Sequence, residues 1–554
     1  MKQRTRTVLG AIIAVSIAAT TAMKTSANVY PTNIKINGNI TNAVNTPQGS
    51  AVTISYILNE AATVGVTLSI LSGENLVRSI SIPSGIGTSK GTNSVVWDGK
   101  ATGGSNVSVG TYSVKVSAAA TGYTDWTQIS DDNFTNSYAF RPRSIAVNRN
   151  TNSPYYGRIL IGNTTPTGDT NLVGHAQGII KCNADGSYAE EGAFSRAGYP
   201  WIDDGGDSPI QMKIKEDDRA YFNDWVGKGT VVAIDMQATT NQIVIDPTGY
   251  SQNPYVLTTT SYNWFNFEIW NAGTTNARIF LCDNGFPSAG IWWWNMTNGA
   301  ADPSDMAGTQ AVSTGGDLSL RADGVLIDAN TNVYVFQNRG NVGDANMRAA
   351  MFPAWDGQTT LSTGAQWIVG GGDNNFRNLY AFALDSMDHP KMLAYAMSAA
   401  GTAAPDGAVA GGIRILNATN GQTIVTNLTF NTYYRSVNWD NAGNLYAGSQ
   451  TLSRWRVFSP PGTNEATTVA LATVNVSAAT TSLKLGNVTV SGGNVTIQFS
   501  SDVADIAGSF TVQRSLTVDG TYADVAAAIT QTGPGAFEAV IPTSGSLGFY
   551  RIRK

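Results

Sequence analysis

An all-β chain, built as a six-bladed β-propeller with a small β-sandwich on either side, is the fold the sequence predicts, and three observations predict it. The first is a short apolar strand pattern that closes on a small or polar residue and is written six times: Arg158–Asn163, Arg219–Asp224, Arg278–Asp283, Asn332–Gln337, Lys391–Ala396 and Asn444–Ser449. Measured on Leu160, Tyr221, Phe280, Tyr334, Tyr395 and Tyr446, the steps are 61, 59, 54, 61 and 51 residues, a period that an internal repeat explains simply. The second is that each copy has a strand pattern ahead of it and another behind it, so one unit reads strand, turn, strand, loop, strand, turn, strand, which is a propeller blade. The third is composition. Only 13% of residues are charged, the net charge is -5, and Gly, Ser, Thr and Asn fill the polar positions, as in extracellular all-β proteins.

Read in order, the chain begins with Lys2, Arg4 and Arg6, an apolar stretch from Val8 to Ala22, and small residues at Thr25, Ser26 and Ala27. That is the pattern of a secretory signal peptide over residues 1–27, cut after Ala27 or after Ala22. Its apolar core is shorter than the ~20 residues a membrane-spanning helix needs, and no later segment reaches that length, so no transmembrane segment is expected in the mature chain.

Residues 33–120 read as the first sandwich. Val52–Leu58 and Val64–Ile70 alternate for a half-buried sheet, a Gly73-Glu74 turn leads to Val77–Ile82, and Asn93–Gly99 and Val109–Val116 follow. With Trp97-Asp98-Gly99 and Gly110-Thr111-Tyr112, this order resembles the Ig-like domain of the flagellar hook-capping protein. The resemblance implies a fold and a spacer or docking role, with Trp97 and Tyr112 in its core.

The propeller is expected over 135–475. The strands ahead of the six marks are Ser144–Val147, Met212–Lys215, Phe265–Ile269, Val325–Ile327, Ala381–Leu384 and Ser436–Trp439; those behind are Gly178–Asn183, Val231–Asp235, Gly290–Asn295, Ala349–Phe352, Gly412–Asn417 and Ser453–Phe458. The segment from Val437 to Ala447, Val-Asn-Trp-Asp-Asn-Ala-Gly-Asn-Leu-Tyr-Ala, resembles the repeats of NHL-type propellers and supports the fold more than any function. The last blade's outer strand is expected after the Ser459–Gly462 turn, and closure either by blade six alone or with a strand borrowed from residues 126–140. A linker near Val474–Ser482 then leads to a third module, 484–554. Its strands are Asn487–Val490, Asn494–Phe499, Ser509–Arg514, Phe537–Ile541 and Phe549–Arg553. Gln513, Ser515, Gly520, Tyr522 and the terminal Phe-Tyr-Arg-Ile-Arg resemble a fibronectin-like C-terminal module of exported bacterial proteins, which implies surface attachment or export.

Cys182 falls on a strand of blade one and Cys282 on a strand of blade three, too far apart for a bridge whose Cα atoms must lie within ~7 Å, so two buried free thiols are expected. The two histidines, His175 and His389, fall on opposite faces, which excludes a paired-histidine metal site. No Gly-x-Ser-x-Gly elbow accompanies them, and Ser-His-Asp chemistry is left without a frame. No basic stripe appears, so nucleic acid is not an expected partner.

In a propeller, the loops that leave the second strands and join the blades gather on one face around the channel, the default binding surface. Asp224, Asp283, Asn338 and Arg339 stand at second-strand ends there, and Asp203, Asp204 and Asp207 in an inter-blade loop. The segment Trp201–Ser208 offers enough oxygen ligands for Ca2+, with a solvated turn as the plain alternative and no other cofactor expected. Asp203, Asp207, Asp224 and Asp283 are also the carboxylates a glycosidase would need in a close pair. Trp201, Trp225 and Trp264 lie in or near the same loops and could stack on sugar rings, whereas Trp292, Trp293 and Trp294 alternate along a strand and are expected between blades. The expectation is an exported or cell-surface protein whose propeller face binds a glycan or protein without catalysis. Two alternatives stand beside it: a polysaccharide- or lactone-processing enzyme using those carboxylates, and a structural component of an envelope or matrix.

Overall fold

The computed structural model describes residues 28–164, 176–201, 208–224, 229–246, 264–283, 290–302, 304, 308–313, 315–318, 322–337, 348–370, 379–397, 411–429, 432–478, 483–502, 505–543 and 548–554. They form an all-β structure whose only helical elements are two single 3-10 turns, Thr135–Ser137 and Ala507–Ser509. The residues fall into two compact units, the first carrying most of an N-terminal sandwich and a ring of sheets, the second the C-terminal sheets with residues 45–51 and 98–111.

The ring contains six antiparallel sheets, five of four strands and the third of five, where both Ala300–Ala301 and Thr309–Ser313 pair with Gly290–Thr297; all but the last follow chain order. Their inner strands are Ile145–Val147, Ile210–Ile214, Trp264–Trp270, Gly324–Ile327, Leu379–Leu384 and Tyr434–Trp439. Each inner strand touches the next, and the sixth touches the first, so the circle is closed. The strands behind them match the sequence reading to within two residues, with Ile159–Asn163, Arg219–Asp224, Arg278–Asp283, Val333–Phe336, Met392–Met397 and Leu445–Ser449 in second place. The first hairpins owe their shape to an aspartate. Asp440 accepts from the backbone N–H of Ala442 and Asn444 at 2.9 and 2.8 Å and from Asn444 Nδ2 at 2.8 Å. Asp328 repeats the pattern with Asn330 and Asn332 at 2.9, 2.8 and 2.8 Å, a side chain holding a turn that its own backbone cannot hold alone.

Alternation along each strand sends apolar side chains to both faces of each sheet, so every pair of neighbouring sheets shares a dry core. Trp294 packs with Tyr221, Val231 and Ile245 of the second sheet, and Trp292 lies half-buried beside it. Trp293 turns the other way, onto Val325, Val335 and Trp355 of the fourth sheet. The three tryptophans are inter-sheet core, as their alternation predicts. The seam that closes the ring joins Tyr446, Trp455 and Val457 to Ile145, Ile159, Ile180 and Cys182. Cys182 and Cys282 form no disulfide and are buried in separate seams.

The ring closes by the second of the two routes the sequence leaves open, with a strand from residues 126–140. The outer strand of sheet six is Thr127–Gln128, which pairs with Ser459 and Phe458. It arrives from ahead of the first sheet, in front of the boundary at 135 that the repeat alone suggests. Asp132 then pairs with the Arg456 guanidinium, and Trp455 Nε1 donates to Asn136 O at 2.8 Å. The segment after the Ser459–Gly462 turn, read from the sequence as the last outer strand, goes elsewhere: Gly462–Val469 pairs antiparallel with Gly110–Tyr123 of the N-terminal sandwich. A strand with no neighbour on one side takes whichever edge the chain presents, and that edge is the sandwich's own. Gly122 permits the crossing, because at φ +66° a Cβ would stand 1.5 Å from Gly462 O.

In that sandwich, Pro31–Ile36, Val52–Leu58 and Gly91–Trp97 form one sheet, and Gly110–Tyr123, Gly65–Ser72 and Asn75–Ile82 lie side by side in the other. Trp97 and Tyr112, both buried, meet with ring centroids 5.9 Å apart. Asn28 is fully buried where sandwich and ring meet. Its carbonyl accepts from Asn444 Nδ2 and Asn59 Nδ2, each at 2.8 Å, and its own amide donates to Pro460 O at 3.2 Å. The C-terminal strands form a four-stranded sheet, Lys484–Ser491, Asn494–Ser500, Ala536–Pro542 and Ala528–Gly533, and a three-stranded one, Ala523–Val525, Thr511–Ser515 and Phe549–Arg553. Their core is Phe499, Phe510 and Phe537 with Val495, Ile497, Val512 and Ile541.

Candidate functional site

The inner strands of all six sheets line a central cavity of about 420 Å3, together with the first hairpin turns of sheets one, two, five and six. Its polar lining includes a cluster from sheet two. Lys213 and Lys215 stand at alternate positions and share one side of the strand, and Gln211, at a register shift with φ +48°, lines the cavity beside them. Lys213 Nζ donates to Glu268 Oε2 at 2.7 Å and to Val325 O at 3.3 Å; Lys215 Nζ donates to Glu268 Oε1 at 2.8 Å. One carboxylate of sheet three thus holds two ammonium groups of sheet two, and one of those reaches sheet four. The side chain of Glu268 is 1% exposed and those of Lys213 and Lys215 are 12% and 9% exposed.

Burial works against the charge on Glu268, and the two ammonium groups overcome it, holding the carboxyl below its ordinary value. Burial pulls the Lys213 ammonium down despite Glu268. Lys215 meets the same burial, but Glu268 and the added field of Glu216 and Asp217 lift it above the usual lysine value. The cluster is an ion network with one cation in excess. A second cation comes from sheet one, where Arg149 donates to Leu384 O at 3.2 Å, to Asp385 O at 2.5 Å and to Asn441 Oδ1 at 3.2 Å, all uncharged acceptors. Burial lowers the Arg149 pKa from its usual height. Gln211 Nε2 crosses from sheet two to Tyr380 O of sheet five at 2.5 Å. Leu326, Phe382 and Leu384 form the apolar side.

The residues expected at the loop face have mixed placements. Trp201 is 6% exposed, stacked on Phe222 at 4.9 Å, with its Nε1 donating to Arg196 O at 3.0 Å. Asp224, 1% exposed, closes the second strand of sheet two and accepts from Ser208 Oγ at 2.5 Å and from Tyr199 O–H at 2.8 Å. Tyr199 links them, its ring 5.0 Å from Trp201. Trp201 and Asp224 thus meet in one buried, bonded cluster that also packs the seam between sheets one and two. The backbones of Trp264 and Asp283 are paired across strands of sheet three. Asp203, Asp204, Asp207, Trp225, Asn338 and Arg339 lie outside the described residues, as does the segment considered for Ca2+; among the described residues no group of three His, Cys, Asp or Glu side chains comes together to hold a metal ion. His389 stands in the first hairpin of sheet five and His175 outside the described residues.

Sequence reasoning missed the Lys213–Glu268–Lys215 network. Its signal was present: Glu268 is the only charged residue in the strand Trp264–Trp270, which apart from Asn266 is aromatic and apolar, and two lysines at alternate positions sit at the inner strand one sheet earlier.

The chain matches the model of the FlgD Ig-like domain over residues 41–122, which span the Trp97 and Tyr112 pair. No curated protein matches it. Among the described residues no helix is long and apolar enough to cross a membrane.

Proposed function

We propose that this is an exported or cell-surface binding protein, in which an NHL-like six-bladed propeller holds a glycan or a protein partner. The FlgD-like Ig domain serves as its scaffold and the fibronectin-like C-terminal module as its attachment. One observation carries the reading. The cavity enclosed by the six inner strands is polar and charged, yet its buried carboxylate, Glu268, is saturated by two lysines. A carboxylate kept ionised and fully bonded is poor at taking or giving a proton near neutral pH, where a general acid or base is tuned to work. Asp224 is likewise bonded at both oxygens. Fixed charges in a concave site serve recognition instead. Export rests on the basic and apolar pattern of residues 1–27, and the return of Gly462–Val469 to the Ig-like sheet favours a module fixed to the ring over a loose spacer.

The test is to incubate the purified protein with a panel of bacterial and algal polysaccharides, with and without Ca2+, and to measure both bound protein and released products by mass spectrometry. Retention without products is the expected result. New small products would replace binding by catalysis, and self-assembly without either would favour a structural component.

A further inference from the structure

We infer that the central cavity is a site for an acidic sugar, a hexuronate-type unit either free or at the end of a glycan, with its carboxylate held by Lys213, Lys215 and Arg149. The inference rests on the binding reading above and names the chemistry of its ligand.

Charge is the first argument. Two lysines share a single carboxylate, and Arg149 bonds only to two carbonyls and an amide oxygen. Asp385 and Asp440 act on Arg149 through space without a hydrogen bond to it, their oxygens accepting from the backbone N–H of Lys391 and Met392 and of Ala442 and Asn444. The remaining acidic residues of the lining, Glu216 and Asp388, are exposed. The buried part of the wall therefore sets three cations, Arg149, Lys213 and Lys215, against the one carboxylate of Glu268, and away from bulk water a cation short of counter-charge is costly and an anion is bound strongly.

Shape is the second. The cations come from sheets one and two, and apolar side chains such as Leu326, Phe382 and Leu384 of sheets four and five share the lining with them. Gln211, Ser436, Asn438 and Asn441 are also in the lining. A ligand that fits has one anionic end, hydroxyls for the amides and a face of C–H groups for the apolar wall. A sugar acid has all three, whereas an inorganic anion leaves the apolar wall unused. The volume of about 420 Å3 lies within the ~300–1,000 Å3 of small-ligand pockets. It is too small to enclose a polymer strand along its length.

The test is calorimetric titration of the full chain with glucuronate, galacturonate, a uronate-terminated disaccharide, glucose and sodium sulfate, repeated at low and high salt. Two variants separate recognition from folding. Lys215→Gln keeps a donor for Glu268 while removing one charge. Asn438→Asp leaves the ion network whole and places a negative charge on the lining. The expected result is binding of a uronate but not of glucose, weakened at least tenfold by either variant and weakened by salt, with both variants folded by far-UV circular dichroism. Sulfate bound as tightly as uronate would reduce the site to a general anion hole and overturn the sugar assignment. Retention of a neutral glycan, unaffected by either variant, would overturn the inference and leave the binding function standing. No binding of any glycan or uronate would overturn both.

Discussion

Replacing Glu268 by Gln isolates the charge of the cavity network with little change of shape. In the native ring Glu268 is 1% exposed and accepts from Lys213 and Lys215 at 2.7 and 2.8 Å. Removing one member of a buried ion pair costs ~3–5 kcal/mol, because the partner stays buried without a counter-charge; here two partners are left, and the upper part of that range is expected at pH 7. The penalty has a sign in pH. Without Glu268 both buried ammonium groups titrate below the ~10.4 of an unfolded lysine. The unfolded state then holds more protons than the folded one over the alkaline side of neutrality, so the variant gains stability as pH rises. Its deficit against the native protein should shrink steadily from pH 7 to pH 9. The native protein behaves oppositely in acid. The Glu268 carboxyl is held below its unfolded value, so its stabilisation is complete above that value and is lost as pH falls through the folded one. Urea unfolding followed by tryptophan fluorescence reports the ring, since every tryptophan except Trp97 lies between residues 126 and 455. A deficit under about 1 kcal/mol at pH 7, the scale of an exposed pair, or one that grows toward pH 9, would refute the reasoning.

Trp294→Ala should cost ~3–5 kcal/mol in the same assay, as for a large core truncation, and Trp292→Ala clearly less, because Trp294 is fully buried and Trp292 only in part; equal losses would show that the strand does not alternate as described. A fragment covering 135–475 should melt well below one covering 28–478 by circular dichroism, since it lacks Thr127–Gln128, Asp132 and the sheet that receives Gly462–Val469; equal melting temperatures would mean that the ring closes without them. Burial raises Asp440 to about 7 in the folded state, against ~3.9 unfolded. The folded state thus binds the extra proton between those values, and the stability of the native protein relative to Asp440→Asn should fall as pH rises from 4 to 7; a flat difference would remove the titration from Asp440. A thiol reagent should label neither cysteine before denaturation and both after it, because Cys182 and Cys282 are buried and form no disulfide.

Much of the ring was legible because the forces that make a blade are local. Strand period, hairpin length and the Asp-to-Asn turn all act within a dozen residues, so Arg219–Asp224, Gly412–Asn417 and the alternation of Trp292 to Trp294 can be read without knowing what surrounds them. What could not be read is set by partners distant in the chain. Residues 126–140 could be named as one source of the closing strand but not chosen over blade six alone: Thr127–Gln128 is two residues long, and it becomes a strand only because Arg454–Ser459 offers an open edge more than three hundred residues later. Gly462–Val469 alternates well enough to be any strand, and nothing local says which sheet it joins. The cavity shows the same division. Lys213 and Lys215 alternate with Met212 and Ile214 as on any half-exposed strand, and in isolation the polar side reads as solvent-facing. Closure of the circle turns that side inward and makes the lysines depend on Glu268, one sheet away. Two of the loop-face candidates, Trp201 and Asp224, show the converse. Trp201 and Asp224 have the residue types of a binding surface, but Phe222, Tyr199 and Ser208 absorb their bonding capacity within the fold. In a ring of repeats, residue type therefore points less surely to a site than does a charge that breaks the repeat, and Glu268, alone among apolar and aromatic neighbours on an inner strand, is such a break.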